Sequence, residues 1–133
     1  MLMKKLMMLL SIAIFITAVS AYAAEDKKQE LRPVQKIMQA RAASLTAMDQ
    51  NLEAKNFKAI IKDADEMAAE TGKTAGKLDN PLAKKITMDL AALAKELSKA
   101  AAKGDVQTVK TKLGEIKAKC GECHVKIRDK GKI

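Results

Sequence analysis

The chain has 133 residues, a formal net charge of +9 and very few aromatic residues, with no Trp, one Tyr and two Phe. This length allows one domain behind a leader segment and leaves no room for a second core. Aromatic side chains normally supply much of the bulk in a core of this size. The interior must therefore be filled by aliphatic side chains and Met, or by a group that the sequence does not encode.

The first 23 residues have the three-part pattern of a secretory signal. Two lysines precede an apolar run of about 14 residues from Leu6 to Val19, and Ala21 and Ala23 then offer small side chains for cleavage. A transmembrane anchor is the alternative, but spanning a bilayer takes roughly 20 residues. We therefore expect a cleaved signal peptide over 1–23 and no stable membrane insertion afterwards. The exported, periplasmic domain over 24–133 then has a charge of +7, because the signal contains two lysines and no acidic residue.

After the signal, apolar residues recur at steps of three and four, which is the helical period, and no strand pattern is present. The first predicted helix runs from about Leu31 to Met48. Pro33 is tolerated only in the first turn, so regular helix should begin near Arg32. One polar residue, Arg41, interrupts the apolar stripe. The stripe consists of Leu31, Val34, Met38, Leu45 and Met48.

The second predicted helix runs from about Asn56 to Thr71, with Asn56 as its N-cap. The third begins with Asn80 as a cap and Pro81 at the first helical position, and Gly104 ends it. Their apolar faces are formed by Phe57, Ile60, Ile61, Ala64, Met67 and Ala68 in the second helix, and by Leu82, Ile86, Leu90, Leu93 and Leu97 in the third.

Asp105 is the predicted cap of the fourth helix, whose apolar seam continues into two cysteines. The connections between helices are short, except over Gly72 to Asp79, so neighbouring helices should be antiparallel. The sequence therefore predicts an all-α fold, an antiparallel up-down-up-down four-helix bundle. The seam of the fourth helix consists of Val106, Val109, Leu113, Ile116, Cys120, Cys123 and Ile127.

Residues 120–124 read Cys-Gly-Glu-Cys-His and contain every Cys and the only His of the chain. Two thiols three positions apart on a helix can each add to one vinyl group of a single haem, and the adjacent imidazole can then bind the iron. Cys-x-x-Cys-His is the signature of c-type haem attachment. We therefore expect one covalent haem c, held by thioethers from Cys120 and Cys123, with His124 as an axial ligand. The haem would also supply the missing bulk.

Other uses of these residues explain the pattern less well. A disulfide between cysteines so close together closes a tiny loop and removes little entropy from the unfolded chain. A zinc site needs four ligands, and the chain offers two Cys and one His. A thioredoxin-like redox pair expects strands around it, and none is predicted.

The chain resembles the class II cytochromes c, the family of the cytochromes c-prime and their low-spin relatives. Members are exported four-helix bundles with the haem motif near the C-terminus and an arginine four residues after the histidine, as Arg128 is here. The resemblance covers 24–133, is most specific in the last 30 residues, and includes Gly104-Asp105. Ile127 stands where members usually have an aromatic residue, and many members are longer between the second and third helices. Class II relatives are often dimers, so a homodimer is possible.

The sixth position on the iron decides the function. A second histidine ligand is excluded within the chain, so the strong-field candidates are methionines. At about 1.5 Å per residue, Met38 lies roughly 10 Å into the first helix, level with the haem, and Met48 lies about 15 Å farther along. Met67 and Met88 are at the correct end of the bundle and remain candidates. The segment Val34–Met38 also resembles the one that supplies the axial methionine in low-spin members.

We therefore expect Met38 as the sixth ligand of a six-coordinate, low-spin iron that passes electrons. The alternative is that Met38 only packs in the core. The iron would then be five-coordinate and bind small gases such as nitric oxide, as the resemblance to cytochrome c-prime implies. No acid–base or nucleophile constellation is present, so we predict no enzyme. Arg128, and less directly Arg41, are candidate partners of a haem propionate.

The positive charge favours an acidic protein partner over nucleic acid. The lysines are spread over all four helices, aromatic residues for stacking are missing, and export argues against nucleic acid. Lysines near the haem end would steer an acidic redox partner, and a solvated lysine-rich surface is the alternative. These lysines are Lys117, Lys119, Lys126, Lys130 and Lys132.

Overall fold

A computed structural model describes residues 32–128, and all regular structure in this range is helical. The predicted signal peptide lies outside the described residues. The four helices and the absence of strands over 32–128 are consistent with the predicted four-helix bundle. The elements are α1 (Pro33–Glu53), α2 (Phe57–Gly76), α3 (Pro81–Ala102), α4 (Val106–Cys123) and a π-helical turn (His124–Arg128).

The side chains predicted to cap the helices do so. Asn56 accepts a hydrogen bond of 3.2 Å from the backbone N–H three positions ahead. Asn80 accepts bonds of 3.0 and 3.1 Å from the N–H groups two and three positions ahead. Asp105 accepts 3.1 Å and 2.6 Å bonds from the backbone N–H and hydroxyl of Thr108. Gly104, with φ of 65°, separates α3 from α4 in a conformation that a Cβ would strain. These local interactions satisfy N–H groups that a helix start otherwise leaves unpaired.

The core is built from α2, α3, α4 and the second half of α1. The backbone of α3 packs closely against α2 and α4, whereas α1 stays farther from its neighbours. No residue of α1 before Leu45 is buried. The largest fully buried side chains are Met48, Ile60, Leu97, Leu113, Ile116, Val109 and Thr71. Within 32–128, aliphatic side chains and Met make up most of the core.

Two helices are longer than the sequence predicts. Helix α1 extends past Met48 to Glu53, and α2 continues past Thr71 to Gly76. In α2, Thr71 and Ala75 are buried on the inner face.

Three residues of the predicted apolar stripes contribute little to the core. Val34 is 63% exposed, and Leu82 and Val106 are each 43% exposed. All three lie in the first turn of their helices, where side chains have fewer neighbours to cover them. No helix within 32–128 is long and apolar enough to cross a membrane.

Candidate functional site

A cavity of about 120 Å³ between α1, α3 and α4 contains the residues expected to bind haem. Cys120 and Cys123 line it from the end of α4, His124 from the π-helical turn that follows, and Met38 from α1. The remaining wall is mostly apolar and consists of Arg41, Ala42, Leu45, Ile86, Thr87, Leu90 and Lys119. Residues far apart in the sequence therefore meet in one apolar space.

The two cysteines lie one turn apart at the end of α4, so both thiols are on the same side of the helix. Both thiols are free and half-buried. Burial raises the pKa of each thiol, and the positive charge of Arg41 partly opposes this effect. The α-helix ends at Cys123 and the π-helical turn begins at His124. Single π-turns of this kind often occur at functional sites.

The structure places the four methionines in different environments. Met38 is half-buried in the cavity wall. Met48 is fully buried in the core, where it fills space between helices. Met67 is buried beside a separate groove between α1 and α2, and Met88 is 56% exposed on an outer groove. Met38 is thus the methionine placed beside the cysteines and the histidine.

The two candidate arginines differ in position. Arg41 lines the cavity, with only 11% of its side chain exposed. Its guanidinium donates to the Glu70 carboxylate from Nε at 3.0 Å and from Nη2 at 3.3 Å. Arg128 is exposed in the π-helical turn and is not part of the cavity wall. The geometry therefore brings Arg41, rather than Arg128, next to the site.

Three of the five lysines expected to steer a partner form ion pairs. Lys117 contacts Asp49 at 2.6 Å. Lys119 and Lys126 contact Glu122 at 3.0 and 2.8 Å, and hydrogen bonds from Lys126 and then Lys119 lower the pKa of Glu122 to about 2. The other two lysines lie outside the described residues. Acidic side chains therefore offset part of the positive charge of these three lysines.

The residues present fit a haem better than a closed zinc site. Two free thiols on one side of a helix, an adjacent imidazole, a thioether on another helix and apolar walls match covalent attachment with His and Met ligands. Ligand pockets usually measure about 300–1,000 Å³, so a cavity of about 120 Å³ would have to widen. The wall formed by the first half of α1 contains no buried residue before Leu45, so it is the least packed part of the cavity. Within 32–128 no cluster of three His, Cys, Asp or Glu side chains is placed to hold a metal ion.

The sequence did not predict the wall that α3 contributes. Ile86 and Leu90 were expected in the core, one helical turn apart, and both are buried. Nothing in their spacing separates a cavity wall from a packed core face. The pairing of Arg41 with Glu70 was also missed, because it joins two helices across 29 positions.

Comparisons with known proteins identify no relative. No family model matches the chain, and neither the curated proteins nor the solved structures include a match. The functional conclusion therefore depends on the residues of the cavity.

Proposed function

We propose that the chain is a periplasmic c-type cytochrome of the class II kind, which carries one covalent haem over residues 24–133 and transfers electrons. One observation carries this proposal: the thiols of Cys120 and Cys123, the imidazole of His124 and the thioether of Met38 line one apolar cavity. The proposal includes the antiparallel up-down-up-down topology. Connections of three, four and three residues between successive helices support that topology.

Four residues of the cavity would hold the haem in this proposal. Cys120 and Cys123 would bind the porphyrin covalently, and His124 and Met38 would bind the iron. The haem supplies one-electron redox chemistry when it is bound. Methionine and histidine together as iron ligands would favour the ferrous state and raise the reduction potential. The apolar side chains of α3 limit the access of water to the site.

The proposed role is electron transfer without a catalysed reaction of the chain's own. The side chains around the cavity provide ligands and apolar cover, and no nucleophile is proposed beyond the two thiols used for attachment. The partner is a redox protein with an acidic docking face, since the domain over 24–133 has a formal charge of +7. Nucleic acid has no part in the proposal, and self-association into a homodimer is compatible with it.

A second candidate function is gas binding by a five-coordinate iron. The observation in its favour is that Met38 is half-buried in a part of α1 that buries no side chain. A ligand on such a loosely held segment can leave the iron, or never bind it. The site would then accept nitric oxide or carbon monoxide at the sixth position.

Optical spectra of the protein, made with haem-attachment machinery, test both functions. Sharp split bands in the ferrous protein that do not change with carbon monoxide or nitric oxide indicate six-coordinate iron. Met38→Ala should then make the spectrum sensitive to gas, whereas Met88→Ala, at an exposed position, should not. Broad bands that shift with gas in the unsubstituted protein would support gas binding instead. The absence of a haem spectrum would refute both functions.

A further inference from the structure

Arg41 lies between two spaces of the fold. It lines the cavity that contains Met38 and the cysteines, and it also lines a separate groove between α1 and α2. The groove has a volume of about 260 Å³ and carries the carboxylates of Asp63, Glu66 and Glu70. The guanidinium therefore separates the proposed haem site from an acidic surface.

Glu70 is fixed in the position where it meets Arg41. Its Oε1 accepts a 2.8 Å hydrogen bond from the hydroxyl of Thr74, one turn ahead on α2. The two bonds from Arg41 involve both carboxylate oxygens. Glu70 is 42% exposed against 11% for Arg41, so water screens its charge more strongly.

This unequal burial has an electrostatic consequence at the cavity. A positive charge that is mostly shielded from water beside a haem site disfavours the additional positive charge of ferric iron. The partner carboxylate, which is farther into solvent, cancels only part of that effect. The pair therefore leaves a net positive potential on the side of the cavity formed by α1.

We propose that the Arg41–Glu70 pair sets the reduction potential of the haem site: Arg41 raises the potential, and Glu70 limits the increase. This inference rests on the proposed cytochrome function. Arg41 acts here as a positioning and charge-setting residue, without binding the iron. The sequence alone pointed to Arg41 only as a possible propionate partner, a role in which Glu70 has no part.

The two single substitutions are expected to shift the reduction potential in opposite directions, and the double variant combines the two shifts. In a medium of effective dielectric about 20, a unit charge at a distance on the order of 10 Å changes a one-electron equilibrium about tenfold. Arg41→Gln should lower the ratio of ferrous to ferric protein at a fixed ambient potential by about tenfold, or about 59 mV for one electron. Glu70→Gln should raise that ratio by a smaller factor. The double variant should lie between Arg41→Gln and the unsubstituted protein, because the opposing effect of Glu70 is the smaller one.

The inter-helix pair of Lys112 and Glu96 provides a matched control. Its separation is 2.7 Å and its side chains are 22% and 54% exposed, but neither residue lines the cavity. Glu96→Gln should therefore leave the potential unchanged within about twofold in the same ratio.

Spectroelectrochemical titration of the haem-loaded variants measures these ratios. Shifts of the same sign in Arg41→Gln and Glu70→Gln, or no shift in either, would overturn the inference while leaving the cytochrome function intact. If Arg41→Gln takes up no haem, the upward shift of Glu70→Gln decides the matter, because it keeps Arg41 in place. A haem-free unsubstituted protein would instead refute the proposed function itself.

Discussion

Met48→Ala is expected to destabilise the folded protein strongly while leaving the proposed haem ligands unchanged. Met48 is 0% exposed and packs in the core formed with α2, α3 and α4. Met48 lies in the second half of α1, whereas Met38 lies in the first half and lines the cavity. Substitutions of these two methionines therefore test core packing and the proposed iron ligation separately on one helix.

The magnitude follows from complete burial. Shortening a buried Met to Ala typically costs about 2–5 kcal/mol, as the sum of lost transfer free energy and the cavity that remains. The close packing of α2, α3 and α4 restricts collapse around the gap, although the looser α1 can move inward, so we expect about 3 kcal/mol. For a domain of this size that corresponds to a decrease in Tm of about 12–24 °C. The free energy of unfolding of native proteins is about 5–15 kcal/mol, so the substitution would remove a large fraction of the stability of the domain.

Urea unfolding of the haem-loaded protein, followed by circular dichroism, measures this loss, and the optical spectrum reports the ligands. Met88→Ala is the control, because a side chain that is 56% exposed should change stability by less than about 0.5 kcal/mol. Met38→Ala should fall between the two in stability and alone should alter the spectrum. A loss below about 1 kcal/mol in Met48→Ala, or a changed ferrous spectrum in that variant, would refute the division of α1 into a core half and a cavity half.

Two further predictions concern the cap of α4 and the ion pair beside the cavity. Asp105→Ala removes the hydrogen bonds from Thr108 and should reduce the free energy of unfolding by about 1 kcal/mol. Asp105→Asn can still accept the bond from the backbone N–H and should retain most of the stability. Equal losses in the two variants, measured by urea unfolding, would contradict a capping role. Burial raises the pKa of Glu70, but hydrogen bonds from Arg41 and Thr74 outweigh it and hold the pKa below its ordinary 4.5. Because the folded-state pKa is the lower one, this stabilisation is present above pH 4.5 and is lost as pH falls through the folded-state value. Glu70→Gln should therefore destabilise the protein at pH 7 and progressively less below pH 4.5 in urea titrations, and a difference independent of pH would contradict this.

The sequence predicted the beginnings of the helices well because those signals are local. An Asn or Asp side chain reaches backbone N–H groups two or three positions ahead, so Asn56, Asn80 and Asp105 could be assigned without knowledge of the fold. The end of α2 was wrong for the converse reason. Gly72 weakens a helix locally, but burial of Thr71 and Ala75 in the packed structure outweighs that preference.

Some features of the candidate site could likewise be predicted from the sequence, and others could not. The spacing in Cys120-Gly-Glu-Cys-His124 by itself predicts a group attached through two thiols with an adjacent imidazole, because five consecutive residues on a helix determine that arrangement. Spacing along the chain left more than one methionine at the correct end of the bundle. Only the packing of α1 against α3 and α4 places Met38 in the cavity.

The pairing of charged side chains depended most on the tertiary structure. The sequence determined a basic domain with lysines at the end that carries the cysteines. It did not determine that Lys117 meets Asp49 or that Arg41 meets Glu70, since each pair joins two helices. A helical period fixes which side chains share a face, but which faces meet is decided by packing between helices. The proposed attachment chemistry therefore follows from the sequence alone, whereas the electrostatic environment of the candidate site was decided by the fold.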